Sequence, residues 1–485
     1  MNKLKKFFQF EKYKTNFKIE IFAGITTFLA MAYILVVNPN NLLVNGTADP
    51  RWTSVFVATA IGSFIGTILM ALIANKPFGA SSTMGVNATV GSIIGGAAGF
   101  SFSYGNGMLL IFMSVIVFFL LSYIPVGIKN KRSLREAMLD GMPEPIIKAV
   151  PVGIGLFIAL IGLKNSGIIT SNQFTLVQLV DFNNKANYTF GGPAWGAIVA
   201  LFGVLIISIL DHYKVKGSII IGILSSTILA LFTGVADINI LLGKAAGISW
   251  DFITNLKNYF GNNEVFLSVF KTGFNLPQGS LFTFITLTIT FIMLDLFDTI
   301  GTIVGCTAEA GLTDKNGKPN DYNKIMYADS LSTTLSSVVG TSTVSTFLES
   351  NAGIAAGGKT GMTGLTIAIL FLLSIFLLPL FAFIPVQAAA SALIYVGVLM
   401  IKNIKEIEFD NLKYVVPAFL TIIIMPFAYS ITDGIGIGII SFFFIDVILC
   451  IIDLIKGTKP QFECNIITVI ITILFLIYFL MPTII

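Results

Sequence analysis

The sequence predicts an all-α, polytopic membrane protein, and three observations support this fold class. Of its 485 residues, 55% are hydrophobic and 11% are charged, and the mean hydropathy is +0.89. A soluble core of ordinary surface-to-volume ratio does not accommodate so much apolar surface. Apolar runs of about twenty residues recur along the chain, and short basic clusters separate them. The bilayer is therefore the predicted solvent.

The first half of the chain contains seven predicted membrane elements. One of them, near 79–99, is interrupted by small and polar residues. The others are apolar runs near 20–38, 54–74, 108–126, 143–163, 193–210 and 217–234.

The second half gives eight candidates, again with one interrupted segment, at 341–357. We expect one of the last three to be short, re-entrant or interfacial, which leaves fourteen elements. The remaining candidates are 281–308, 322–340, 361–384, 386–402, 412–429, 433–455 and 464–483.

The basic clusters predict the topology. All of them fall on one side of the membrane if the N-terminus is cytoplasmic. No small-residue cleavage site follows the first apolar run, so we expect a multi-pass protein that stays intact in the cell membrane. The polar stretch 235–278 is then predicted to join the halves on the outer side. The clusters lie at the N-terminus, 129–132, 213–216, 315–324 and 402–405.

Two acids interrupt the apolar run 281–305. Asp295 and Asp298 are three positions apart, so a helix places both carboxylates on one face. Exposure of either one to lipid costs several kcal/mol. They are therefore predicted to face protein or a water-filled cavity.

A second anomaly begins at Gly340, where a run rich in Gly, Ser and Thr leads into Glu349. A membrane segment whose residues form a poor helix and which ends in an acid is typical of a substrate site built from a broken span. Together, the two anomalies predict a transporter.

The halves show a weak internal repeat. The runs that begin at Gly79 and Gly340 are alike, as are those at Thr27 and Thr290, with nearly equal separations. We predict repeats at 1–234 and 279–485, joined by the loop 235–278. Because seven spans is an odd number, the second repeat enters the membrane from the opposite side, and the two interrupted segments face each other at mid-membrane.

Several ordered motifs resemble the azaguanine-resistance-type (AzgA-like) purine permeases, within the nucleobase–cation symporter (xanthine/uracil permease) superfamily. The resemblance runs in order over almost the whole chain. The motifs are Phe22 to Pro39, Met84 to Ala88, Asp295 to Thr302, Gly340 to Ser350 and Gly357 to Gly361.

The resemblance implies fourteen spans in two inverted repeats. A core domain (spans 1–4 and 8–11) carries short strands and half-helices in spans 3 and 10, and a gate domain comprises spans 5–7 and 12–14. It implies proton-coupled import of hypoxanthine, guanine or adenine by an elevator-like movement of the core. Asp298 and Glu349 match the family's acidic pair. The family usually has Ala-Pro where this chain has Ser81-Ser82, which leaves the preferred purine open.

The chemistry of a purine suits this site. A carboxylate accepts N–H bonds from the planar edge of the base, and Glu349 is our first choice for this role. Backbone groups near Ser82 and Thr343 are expected to satisfy the rest of the edge, and Phe347 or Phe78 to stack on the ring. The predicted substrate contacts are Glu349, Asp298, Ser82, Thr83, Met84, Thr343, Val344, Phe347, Asn38 and Asn87.

Proton coupling requires a carboxylate that gains and loses a proton during transport. Asp298 is the candidate, with Glu349 and Asp295 beside it, because protonation removes the cost of moving a bare charge through the occluded state. The sequence does not decide whether H⁺ or Na⁺ is the coupling ion, nor whether the protein forms a homodimer.

Each site residue also has a structural alternative. The two aspartates are able to cap a backbone break, Glu349 to cap a half-helix, Asn38 to end span 1 and Asn87 to cap a half-helix. An intramembrane aspartyl protease is disfavoured because Asp295 and Asp298 share one helical turn, so we expect no enzyme.

The rival function is an anion channel or exchanger of the same fold, which an acid at position 349 disfavours. The chain has one histidine, and its three cysteines have no paired spacing, so neither a metal nor a cofactor is predicted. The small net charge of +4 gives no support for nucleic-acid binding.

Overall fold

The computed structural model describes most of the chain as apolar helices. Among the described residues, seven helices are long and apolar enough to cross a membrane, and shorter apolar helices lie between them. The protein is therefore a multi-pass membrane protein. The described residues are 2–43, 46–96, 99–123, 125–126, 132–133, 143–172, 174–215, 217–242, 250–312, 320–429, 431–457, 459 and 462–480.

The helices follow the predicted runs closely. In the first half they are α1 Asn2–Phe7, α2 Phe10–Tyr13, α3 Phe17–Met31, α4 Ile34–Leu42, α5 Trp52–Leu69, α6 Met84–Ile94, α7 Tyr104–Tyr123, α8 Glu144–Asn165, α9 Pro193–His212, α10 Ser218–Thr233, α11 Ile238–Leu241, α12 Phe252–Gly261 and α13 Ser268–Lys271. In the second half they are α14 Leu281–Glu309, α15 Tyr322–Val339, α16 Ser350–Ala355, α17 Gly361–Leu373, α18 Leu378–Ala382, α19 Val386–Met400, α20 Leu412–Phe427, α21 Ile431–Ile455 and α22 Ile466–Leu480.

The strands form antiparallel pairs. Two of these pairs join residues close in sequence, whereas the third joins the two interrupted segments predicted at 79–99 and 341–357. The strands are β1 Ala80–Ser82, β2 Pro125–Val126, β3 Arg132–Ser133, β4 Ile169–Asn172, β5 Leu176–Leu179 and β6 Val344–Thr346.

The pairing of β1 with β6 satisfies backbone groups where no helix does so. Ser81 lies opposite Ser345, and the ladder is extended by a bond from Thr83 N to Thr343 O at 2.9 Å. The hydroxyl of Thr67 also bonds both the N–H and the C=O of Ala80 at 2.9 Å. Because lipid offers no hydrogen-bond partners, a broken span is stable only with such internal partners.

Span 1 changes its winding at Tyr33. Helix α3 ends at Met31 and α4 begins at Ile34, and in the first turn of α4 Val36 N bonds the carbonyl of Tyr33, three residues back, at 3.0 Å. Such a tightened turn rotates the side chains that follow it relative to a regular α-helix. The turn fixes the direction in which Tyr33 points.

The helices pack in two bundles. In the strand-bearing bundle, α5 packs against α15 and α17, α3 against α16 and α17, and α7 against α14 and α15. In the second bundle, α8 packs against α19 and α20, α9 against α10 and α19, and α21 against α20 and α22. The two bundles touch chiefly where α4 meets α19, where α3 meets α10, where α6 and α14 meet α8, and where α14 meets α21.

The stretch 235–278 was predicted as a polar loop, but its described part contains helices α11 to α13. Tyr259 and Val265 are buried, and the Tyr259 hydroxyl donates to the carbonyl of Val339 at the end of α15. Aromatic and aliphatic side chains in this otherwise polar stretch anchor it to the protein. The stretch is thus packed against the strand-bearing bundle.

Two of the last three helices are short, where one was expected. Helices α20 and α22 have 16 and 15 residues, whereas α21 has 25. At 1.5 Å per residue, the two short helices are less than about 30 Å long, the thickness of a typical hydrocarbon core. The number of complete crossings in this region stays a prediction.

Candidate functional site

The paired strands place the starts of two half-helices close together. Helix α6 follows β1 directly, and α16 follows β6 after a short turn that contains Phe347 and Glu349. Phe347 N bonds the carbonyl of Gly79 at 2.9 Å, and Ser350 Oγ accepts from Gly79 N at 3.0 Å. Segments 79–84 and 344–350 therefore form one unit around the strand pair.

Glu349 is the acid of this unit. Its side chain is half-buried, and it lies at the start of α16 without capping that helix through its side chain. The hydroxyl of Tyr33 donates a hydrogen bond to Glu349 Oε1 at 2.5 Å and lies 3.8 Å from the sulfur of Met84. Tyr33 is 1% exposed. A half-buried acceptor thus stands beside a buried hydroxyl donor.

Asn38 is the centre of a second buried cluster. Its amide donates to Thr59 Oγ1 at 2.7 Å and Thr341 Oγ1 at 2.8 Å, and its oxygen accepts from Asn87 Nδ2 at 3.0 Å. The oxygen of Asn87 accepts in turn from Asn41. These protein partners occupy the polar atoms of Asn38, so its direct contact with a substrate stays a prediction.

The strand residues that were predicted to contact a substrate form hydrogen bonds across the β1–β6 pair. Ser82 Oγ lies 3.0 Å from Thr341 Oγ1, and Thr83 Oγ1 lies 2.9 Å from Ser345 Oγ. Val344 is fully buried and packs against Gly66 of α5. These residues shape the site in this conformation, and their contact with a substrate stays a prediction.

The aromatic candidates are also buried. Phe347 is 5% exposed, and its carbonyl accepts from Cys306 Sγ at 3.5 Å. Phe78 is fully buried. Stacking of either ring on a base stays a prediction, since both rings are packed against protein in this conformation.

The acids of α14 lie in the same bundle. Asp295 is 2% exposed, which agrees with the expectation that it faces protein. The side chain of Asp298 lies outside the described residues. One turn beyond Asp295, Thr299 donates to Asp329 Oδ2 on α15 at 3.0 Å.

Asp329 and Tyr33 were not predicted as site residues. Asp329 is fully buried in α15, and an acid inside the apolar run 322–340 was a signal available in the sequence. Tyr33 gave only a weak signal, a phenol in an apolar span. No group of three or more His, Cys, Asp or Glu side chains able to hold a metal was found in the described part of the chain.

The fold is known from solved structures. The transmembrane domain of the cyanobacterial bicarbonate transporter BicA superposes with a TM-score of 0.58, covering 86% of this chain and 97% of that chain at 16% identity. An identity this low shows the fold alone. Together with the apolar helices, the fold defines a multi-pass membrane protein with two broken spans.

Sequence relatives give the family. A family model described as "Permease family" matches residues 18–437, and the chain belongs to this family of xanthine/uracil-type permeases. The adenine permease AdeQ of Escherichia coli is 35% identical, over 90% of this chain and 89% of the relative. The guanine/hypoxanthine permease PbuO of Bacillus subtilis is 34% identical, over 90% and 93%. The resemblance to purine permeases is confirmed.

Proposed function

We propose that this protein imports purine nucleobases and that Glu349 is its principal recognition residue. The observation that carries the proposal is the position of Glu349, a half-buried carboxylate between two broken spans. A purine presents N–H donors along a planar edge, and hydrogen bonds to an ionised acceptor are about twice as strong as neutral ones. The adenine and guanine/hypoxanthine permeases among its relatives support the same substrate class.

Import is coupled to protons in this proposal. Asp298, on the same helix as the buried Asp295, takes up a proton with the substrate, and this removes one of the charges that must move with the site. The strand-bearing bundle acts as the core and moves past the second bundle, the gate, in an elevator-like manner. The sparse contacts between the bundles support this division.

The proposed setting is the cell membrane, with a cytoplasmic N-terminus and two inverted repeats. The antiparallel pairing of β1 with β6 supports the inverted relationship, because spans entering from opposite sides meet in this orientation. A homodimer through the gate is compatible with this arrangement. Anion exchange is less favoured because the carboxylate of Glu349 repels an anion.

The test is uptake of radiolabelled adenine and hypoxanthine by cells that express the protein. Competition with unlabelled guanine, xanthine and uracil ranks the bases, and a protonophore is compared with replacement of Na⁺ by choline. Glu349→Gln and Asp298→Asn are matched with Glu144→Gln, which removes an acid that is 72% exposed and ion-paired with Lys148.

We expect saturable uptake that purines inhibit and the protonophore abolishes. Glu349→Gln and Asp298→Asn should lose it at normal membrane levels, and Glu144→Gln should keep it. Uptake of no base contradicts the purine proposal. Uptake that needs Na⁺ and ignores the protonophore contradicts proton coupling while leaving purine transport intact.

A further inference from the structure

Tyr33 and Glu349 are hydrogen-bonded to each other. The hydroxyl of Tyr33 is 1% exposed and donates its proton to Glu349 Oε1 at 2.5 Å. A phenol has one proton to donate, so this bond occupies the donor capacity of Tyr33. The carboxylate of Glu349 only accepts hydrogen bonds when it is ionised.

A ligand that takes over Oε1 of Glu349 must therefore do two things at once. It must offer an N–H donor to the carboxylate, and it must offer an acceptor to the hydroxyl that it displaces, because a buried donor left without a partner costs about 1–3 kcal/mol. Met84, whose thioether is a weak acceptor 3.8 Å from the hydroxyl, does not offer a good replacement.

We propose that the Tyr33–Glu349 pair binds a donor–acceptor edge, in which an N–H group and a hydrogen-bond acceptor lie side by side on the base. This inference rests on the proposed function and deepens it. Tyr33 becomes a specificity-determining residue that donates to the ring acceptor, while Glu349 accepts from the adjacent N–H. The bond between the two protein groups is exchanged for two bonds to the base.

Adenine has three such edges. The N–H of its amino group lies beside N1 on one edge and beside N7 on another, and the N9–H group lies beside N3. The analogues 1-deazaadenine, 7-deazaadenine and 3-deazaadenine each replace one of these acceptors with C–H. A site that bonds one acceptor discriminates against the analogue that lacks it.

The experiment measures inhibition of radiolabelled adenine uptake by adenine and the three analogues, in the wild type and in Tyr33→Phe. The matched control is Tyr104→Phe, which removes another buried hydroxyl, one that donates to the carbonyl of Gly340 at 2.8 Å. Thermal stability in detergent is measured for each variant.

We expect Tyr33→Phe to weaken inhibition by adenine and by two of the analogues about tenfold, the loss of one hydrogen bond. Inhibition by the third analogue should not weaken in Tyr33→Phe and should become stronger, because this analogue lacks the acceptor for Tyr33 and leaves the displaced hydroxyl without a partner only in the wild type. That analogue identifies the edge. Tyr104→Phe should leave all four inhibition constants unchanged.

A uniform effect of Tyr33→Phe on all four compounds, or no effect, overturns the inference while purine transport stands. If Tyr33→Phe does not fold, inhibition of wild-type uptake by the analogues still tests the inference. One deaza analogue must then bind about tenfold or more weakly than adenine, and equal binding of all four overturns the inference. Failure of the wild type to take up or bind any purine overturns the proposed function together with this inference.

Discussion

Tyr33 and Glu349 lie 316 residues apart in the chain and share a hydrogen bond of 2.5 Å. One comes from the tightened turn of span 1 and the other from the start of a half-helix in the second half of the protein. The bond therefore ties the two halves together at the proposed site. It also gives the carboxylate a defined orientation before any substrate arrives.

The charge and the length of Glu349 should have separate effects. Glu349→Gln keeps the size and removes the charge, and we expect kcat/KM for purine uptake to fall about 10–100-fold, because hydrogen bonds to charged groups contribute about 1.5–3 kcal/mol. Glu349→Asp keeps the charge but moves it away from Tyr33, so uptake should fall less. Initial uptake rates across a range of substrate concentrations measure both variants. Equal activity of Glu349→Gln and the wild type would falsify the role of the charge.

The cluster around Asn38 should matter for stability. Asn38→Ala leaves the hydroxyls of Thr59 and Thr341 and the amide of Asn87 without this partner in a buried setting. We expect a loss of about 1–3 kcal/mol for each group left unsatisfied, seen as a lower midpoint of thermal unfolding in detergent. Asn183→Ala, at an exposed position, is the control and should melt like the wild type. An unchanged midpoint for Asn38→Ala contradicts the prediction.

Gly91 allows α6 to approach α4. A Cβ at this position would overlap the backbone oxygen of Asn41, which cannot move without shifting its helix. Gly91→Ala should therefore destabilise the protein by about 1–3 kcal/mol and reduce uptake, because α6 follows the strand of the site. Gly261→Ala, with open space around it, is the matched control. Thermal unfolding and uptake are measured for both, and similar behaviour of the two variants argues against a close approach.

The buried Lys76 forms an ion pair with the more exposed Asp321 outside the spans. Lys76 is 1% exposed, and its Nζ lies 3.3 Å from Asp321 Oδ2. Burial lowers the pKa of Lys76, with Asp321 opposing this shift. Burial raises the pKa of Asp321, but Lys76 and Lys324 outweigh burial and hold the pKa below its usual value of 3.8.

A lowered carboxyl pKa stabilises the fold at neutral pH, and this contribution is lost as the pH falls through 3.8 and below. Asp321→Asn should therefore unfold at a lower temperature at pH 7, because Lys76 loses its partner, and its disadvantage should shrink at acidic pH. Unfolding midpoints between pH 7 and 3 measure this, with the exposed Asp410→Asn as control. A difference in unfolding midpoint between Asp321→Asn and the wild type that does not change with pH contradicts the role given to the Asp321 carboxylate.

Most of the membrane elements could be predicted from the sequence. The run 143–163 corresponds to α8 and the run 433–455 to α21, because about twenty consecutive apolar residues have few stable alternatives to a helix in lipid. The break near 340–346 was also visible, since Gly, Ser and Thr are poor helix formers. Helices within 235–278 were missed because the polar residues of the stretch indicated a loop, although it also contains aromatic residues such as Tyr259 that anchor it.

The sequence by itself determined the solvent, the broken spans and the position of Glu349, since these depend on local composition and on the cost of an acid in lipid. Only the tertiary structure decided that β1 pairs with β6, that Tyr33 bonds Glu349 and that Asn38 is bonded to protein partners. Those contacts join residues from distant parts of the chain. They depend on how helices rotate and pack against one another, and no local pattern of residues specifies that rotation.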